Sequence, residues 1–197
     1  MKTGWIVLIA VLALIVFSVM GVIGSYNGLV TKQETVTSQW ANVENVYQRR
    51  VDLIPNLVET VKGYAEFEKS TLIGTIEARA NATKMSIDPT KLTPEMMQKF
   101  QDNQQGLSQA LGKLMVVVEK YPDLKANQNF LELQAQLEGT ENRIAVERRA
   151  YNEVAQAYNT SRRGFPTIMI ANIFGFAEKP YFKADEGSNK APKVSFN

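Results

Sequence analysis

The stretch Leu124–Ser161, LKANQNFLELQAQLEGTENRIAVERRAYNEVAQAYNTS, decides the fold. Within it Phe130, Leu137, Ile144, Tyr151 and Tyr158 recur every seven residues, and Leu133 and Val154 each sit three residues beyond one of them. Such a recurrence keeps one face of an α-helix apolar for the length of the run, as along the seam of a coiled coil. A helix with that much apolar surface needs partners, because packing rather than propensity stabilises helices in water. Arg162-Arg163-Gly164 supplies positive charge and a glycine at its C-terminal end.

Upstream, Met97, Phe100, Leu107, Leu111, Leu114, Val118 and Tyr121 step by threes and fours, interrupted only by Gln104, and predict a helix from about Pro94 to Lys120. Thr93-Pro94-Glu95 is a good start for it: a hydroxyl cap, a proline in the first turn and an acid at the positive end of the dipole. Before that, Leu57, Val61, Tyr64, Leu72, Ile76 and Ala80 predict a helix from about Asn56 to Lys84. A further helix carries Leu29, Val36 and Val43 together with Tyr26, Trp40, Tyr47 and Ile54, and stops at Pro55. Proline lacks the N–H that a helix interior uses, so a tight reversal is expected at Asp52–Pro55. Trp40, Tyr47, Tyr64, Tyr151 and Tyr158 all fall at core spacing.

The N-terminus is a different kind of segment. From Ile6 to Ile23 the chain reads IVLIAVLALIVFSVMGVI without a charge, and with Trp5 in front it is long enough to cross a bilayer. The run is longer than the apolar region of a cleavable signal and continues into helix-compatible sequence, so it reads as a retained anchor, spanning with Trp5, Ile6, Leu12, Phe17 and Ile23. Lys2 and the terminal amine before the span favour an N-inside orientation, with the domain on the non-cytoplasmic side.

The expected architecture is all-α: a transmembrane helix at 1–25, an antiparallel up-down four-helix bundle at 26–163, an apolar segment at 164–183 and a flexible polar tail at 184–197. In that topology the end of the fourth helix faces the membrane. FPTIMIANIFGF follows there, too short to span, and Phe165, Ile168, Ile170, Ile173, Phe174, Phe176, Tyr181 and Phe182 form the candidate contact surface. The segment either caps the membrane-proximal end of the bundle or lies in the interface or against a neighbouring subunit.

Little in the chain points to chemistry. With 22 basic against 20 acidic residues, interleaved along helix faces, nucleic acid is not an expected partner. There is no cysteine and no histidine, which removes thiolate nucleophiles, disulfides, the Glu-x-x-His pair of bundle metal sites and the usual proton carrier near neutrality. GLSQALGK at 106–113 resembles a phosphate loop but has one residue too many between its glycines, Leu114 in place of the magnesium-holding hydroxyl, and a helical setting. No catalytic residue, metal or cofactor is indicated. Glu68 and Glu141 fall on apolar stripes, as do Arg79 and Arg148, which predicts a buried ion-pair layer pairing Glu68 or Glu141 with Arg79, Arg143 or Arg148.

Several blocks carry a resemblance: YNGLV at 26–30, RRVDLIPNLVETVKGYAEFE at 49–68, Ala78-Arg79, YPDLKANQNFLELQAQLEGTENRIA at 121–145, RRAYNEVAQAYN at 148–159 and FPTIMIANIFGF at 165–176. In that order they resemble the LemA family of bacterial membrane-anchored proteins, over nearly the whole chain. The resemblance implies an N-terminal membrane helix followed by four long antiparallel helices, and through the branch associated with magnetosome membranes it hints at membrane organisation. It implies no activity. Many members have a histidine before the glutamate of the second helix, where this chain has Phe67 before Glu68. The expectation is therefore a single-pass protein of the bacterial inner membrane, working as a scaffold or accessory subunit. Its partners are the lipid bilayer and a second copy or another membrane protein. The alternative is a binding module for a lipid or small apolar ligand near the bilayer.

Overall fold

The computed structural model describes residues 2–63, 69–85 and 87–183, and all regular secondary structure there is helical. In chain order the helices are α1 (Lys2–Lys62), α2 (Lys69–Thr83), α3 (Pro94–Val118), the single turn α4 (Pro122–Lys125), α5 (Gln128–Arg163) and the short α6 (Thr167–Ile173). The tail at 184–197, Glu68 and the expected core residue Tyr64 lie outside the described residues.

The first difference from expectation is at Pro55. α1 does not reverse there; it runs unbroken for 61 residues, so the apolar N-terminus and the first amphipathic stretch form one rod. Pro55 removes the N–H that would bond the Val51 carbonyl four residues back. That carbonyl is taken by the Arg79 guanidinium of α2, with Nε donating at 3.2 Å. Leu53, Ile54, Leu57, Val58 and Val61 are buried around the proline, so helical geometry on both sides is held by packing. Because Leu57 and Val61 belong to α1, the stripe phase carried from them into α2 fails. Leu72, Thr75 and Ala82 face inward, while Ile76 is exposed.

α3 starts as its sequence requires, with the Thr93 side chain accepting from the Met96 amide and Pro94 at the first position. α5 begins at Gln128 rather than Leu124, because the Asn127 side chain accepts from the Phe130 amide and caps the helix there. α1 and α5 pack side by side in opposite directions: Gln39 bonds Glu147, whereas Arg49 and Arg50, further along α1, bond Gln136 and Glu141, which lie earlier on α5. α2 lies on α3, with the Gln104 amide donating to the Ala82 carbonyl.

Two cores result. One is aliphatic and combines Val51–Val61 of α1 with Leu72, Leu107, Leu114, Phe130 and Leu137. The other is aromatic, with Trp40, Tyr47, Phe100, Tyr151, Tyr158, Phe176 and Phe182. Trp40 stacks on Phe182 at 5.8 Å with their planes 9° apart, and Phe100 and Tyr151 meet Trp40 tilted and edge-on at 5.4 Å. Such offset and edge contacts suit the ring quadrupole and add to the area buried.

Beyond α5 the chain turns through Gly164 into α6, which packs on α1 and α5. α6 is closed by Gly175 at φ +73°, a left-handed conformation that favours glycine. The Phe176 amide donates back to the Ala171 carbonyl at 2.9 Å, completing a Schellman-type stop. Residues 176–183 then return along α5 as an irregular strap.

Candidate functional site

Three features could carry function: a polar layer between the two cores, the strap with its anchors, and the apolar surfaces at the N-terminal end of α1 and on α6.

The polar layer is centred on Arg50. On α1 it lies between Tyr47 of the aromatic core and Val51 of the aliphatic one, and Gln104 on α3 and Thr140-Glu141 on α5 fill the equivalent gaps. The Arg50 side chain is 3% exposed and that of Glu141 57%. Arg50 donates to Glu141 Oε2 at 2.8 Å, Ser108 Oγ at 2.9 Å, the Gln104 carbonyl at 3.3 Å and Gln104 Oε1 at 2.6 Å, and its guanidinium lies 5.2 Å from the Tyr47 ring centre. A buried guanidinium is tolerable only with this density of acceptors, and the directionality of the bonds fixes the register of α1 against α3 and α5.

The sequence-derived layer is thus assembled differently. Glu141 takes part, but its partner is Arg50, not Arg79, Arg143 or Arg148. Arg79 serves the Val51 carbonyl, Arg143 is exposed on α5, and Arg148 donates to the Lys183 carbonyl at 2.6 Å while lying over the Phe182 ring. A signal for Arg50 existed: it falls seven after Val43, three after Tyr47 and four before Ile54, on their apolar stripe. The expected chain reversal at Pro55 hid it by ending that helix one turn later.

The strap is held by repeated side-chain-to-backbone pairs. Asn152 donates to the Phe182 carbonyl and accepts from its amide, both at 2.9 Å. Asn159 does the same for Lys179 at 2.8 and 2.9 Å. The two asparagines are seven residues apart, each following a core tyrosine in the sequence Tyr-Asn, and this repeat was the legible signal for the strap. Tyr158 adds a bond to the Ala177 carbonyl. Lys179 is 2% exposed, and its Nζ donates to the carbonyls of Pro89 and Thr90, tying the strap to the loop before α3. Burial pulls the Lys179 ammonium below its usual range and pushes the Tyr151 and Tyr158 phenols up. Arg163 and Arg162 clamp Glu178, and the Arg163 hydrogen bond holds that carboxyl below its usual value.

The candidate contact surface divides. Ile170, Phe176 and Phe182 are buried and Ile168 is half-buried, whereas Phe165 is 85% exposed, Ile173 73%, Phe174 55% and Tyr181 39%. Met169, not singled out by sequence, joins the exposed set at 55%. The larger apolar surface is on α1, where every residue from Gly4 to Gly24, including Trp5, Ile6, Leu12, Phe17 and Ile23, is exposed. α1 is the one helix among the described residues long and apolar enough to cross a membrane. Among the described residues no three or more Asp and Glu side chains gather as metal ligands would.

The sequence profile of the LemA family matches residues 39–196. Magnetosome protein MamQ 2 of Paramagnetospirillum magneticum is 29% identical over 195 residues, covering 87% of this chain and 72% of that protein. Magnetosome protein MamQ of Magnetospirillum gryphiswaldense is also 29% identical over 195 residues, covering 88% of this chain and 70% of that one. Protein LemA of Metamycoplasma hominis is 24% identical over 164 residues, covering 83% and 71%.

Proposed function

Because the chain belongs to the LemA family, we propose that it is a single-pass protein of the bacterial inner membrane that acts by contact rather than by catalysis, as a scaffold or accessory subunit. α1 crosses the bilayer with residues 5–23. α1 from Tyr26 onward, with α2, α3 and α5, forms an antiparallel four-helix bundle held close to the membrane on the non-cytoplasmic side. The observation that carries the reading is the character of α1: fully exposed and apolar from Gly4 to Gly24, then lined with buried core residues from Leu29, with no break between the two regimes. An exposed apolar helix is stable in hydrocarbon and not in water, and the absence of a break fixes the bundle to the anchor. The polar layer supports a structural role, since each acceptor around Arg50 is supplied by the fold itself.

The test uses the absence of native cysteine. Val146→Cys places a single thiol on an exposed position of α5. The protein should stay with membranes through alkaline carbonate extraction, and the introduced thiol should react with a membrane-impermeant maleimide in intact cells with a permeabilised outer layer. Release by carbonate would remove the anchor; labelling only after lysis would reverse the orientation.

A second reading is supported by one groove. Between the start of α3 and the strap lies an open cleft of about 630 Å³ with a mainly apolar lining that includes Pro94, Met97, Pro180 and Tyr181. A lipid chain or small apolar molecule would suit it, and native mass spectrometry of detergent-purified protein would then show a lipid adduct that Tyr181→Glu, at an exposed position of the lining, abolishes.

A further inference from the structure

α6 has two unlike faces. Ile170 and Ala171 are buried, Ala171 in the aromatic core, while Met169 and Ile173 are exposed, with Phe165 just before the helix and Phe174 at its end. Met169 and Ile173 are four apart on α6 and share a face, while Phe165 sits in the turn just before the helix and is the most exposed of the set. Four large apolar side chains are therefore exposed on α6 or beside its ends, although the helix itself packs on α1 and α5.

The height of this patch is set by Tyr26. The Phe174 ring meets the Tyr26 ring edge-on at 5.0 Å, and Phe176 meets it at 5.5 Å. Tyr26 lies three residues beyond Ile23, the last residue of the apolar stretch that starts at Ile6, which at 1.5 Å per residue is about 4.5 Å along α1. The headgroup layer on each side of a bilayer is about 5–8 Å thick. With the span in hydrocarbon, α6 stands in that layer, where aromatic and amphipathic surfaces are favoured.

We infer that α6 is a second membrane contact, with Phe165, Met169, Ile173 and Phe174 inserted among the lipid headgroups beside the exit of α1. The occupant of the patch is the bilayer, because the patch continues the apolar surface of the anchor at the level where that surface ends. The inference rests on the reading of α1 as a membrane span. One attachment leaves a rod free to rotate about its axis and tilt; a second, off-axis attachment limits both and presents one fixed side of the bundle to partners.

The experiment uses the full chain in vesicles of phosphatidylcholine and phosphatidylglycerol, with single cysteines at Ile173→Cys, Met169→Cys, Leu12→Cys or Val146→Cys carrying an environment-sensitive dye. Residues 169, 173 and 146 are exposed, so the labels do not disturb packing, and Val146 lies 17 residues before the end of α5, about 25 Å up the helix. Nitroxide lipids quench at the headgroup, at a shallow carbon or at a deep carbon. Leu12 should be quenched most by the deep probe. Positions 173 and 169 should be quenched several-fold more than 146, and most by the headgroup and shallow probes. Quenching at Leu12 with 173 and 169 no different from 146 would overturn the second contact and leave the anchor intact. Lack of quenching at Leu12 would overturn the anchor and the inference with it. A blue-shifted, unquenched dye at 173 that depends on protein density would assign the patch to a second copy and overturn the bilayer as its occupant.

Discussion

The pairing of Arg79 with the helix defect at Pro55 makes a quantitative prediction. Arg79→Met keeps the aliphatic stem and removes the donor, leaving the Val51 carbonyl with neither a helical N–H nor a guanidinium. Hydrogen bonds to charged groups contribute about 1.5–3 kcal/mol net, and an unsatisfied buried carbonyl costs about 1–3 kcal/mol. The 3.2 Å distance and the half-exposed Arg79 place this one at the low end, so the expected loss is about 1–2 kcal/mol. For a chain of this size that is a fall in Tm of about 2–8 °C. Pro55→Ala restores the N–H to the same carbonyl, so in that background Arg79→Met should cost less than about 0.5 kcal/mol. The coupling is then about 0.5–2 kcal/mol, at or above the roughly 0.3–0.5 kcal/mol error of additivity for independent sites. The assay is a double-mutant cycle by urea denaturation of detergent-solubilised full-length protein, followed by helical circular dichroism. Equal losses from Arg79→Met in the two backgrounds would show that Arg79 does not repair the proline.

Other perturbations probe the layer and the strap. Glu141→Gln alone should destabilise by about 1–2 kcal/mol, the usual penalty for breaking a buried pair reduced by the exposure of the carboxylate, while adding it to Arg50→Met should cost little more; additive losses in denaturant would refute the pairing. Asn159→Ala removes two bonds to Lys179 and should speed hydrogen exchange at the Lys179 amide by roughly tenfold or more, at about 1 kcal/mol per bond, while leaving the Phe182 amide to Asn152. Equal acceleration at both amides would show the strap to be a single cooperative unit. The Glu178 carboxyl is depressed by Arg163, so its contribution is fully present above the ordinary carboxylate pKa and is lost as pH falls through the lower folded value. Glu178→Gln should therefore flatten the acid limb of Tm against pH below about pH 5, and an unchanged limb would assign acid sensitivity elsewhere.

Different parts of this architecture were legible to different degrees, for physical reasons. α5 and α3 could be read because Phe130 to Tyr158 and Met97 to Val118 obey helical spacing, and the Thr93 cap of α3 is local; the Asn127 cap of α5 was missed, which put that helix's start at Leu124. The passage of α1 through Pro55 could not be read, because the proline's cost is offset by a residue on another helix, 28 positions later. The same misplacement of the chain reversal concealed Arg50 and sent Ile76 to the wrong side. In the C-terminal segment almost every residue is apolar, so composition cannot say that Ile170 turns inward and Ile173 outward; the packing of α6 on α1 and α5 decides it. The strap is held mainly through its own backbone, and only the paired Tyr-Asn steps on α5 left a trace of it in the sequence.

With residues 5–23 in a bilayer, as proposed, the uninterrupted α1 would also act as a lever. About 30 Å of it lies in the span, and the remaining part, from Gly24 to Lys62, extends about 60 Å beyond at 1.5 Å per residue. Helices adjust their tilt to the local thickness of the bilayer. On a rigid arm of that length, a change of about 10° in the span displaces the far end of the bundle by about 10 Å. Any partner gripping the distal, aliphatic end would receive the mechanical state of the lipid as lateral movement. The glycines at 21, 24 and 28 are the cheapest places to soften the arm, since each weakens a helix by about 1 kcal/mol relative to alanine. Their grouping at the fulcrum means that stiffness there, and not at the load, sets how faithfully thickness becomes displacement.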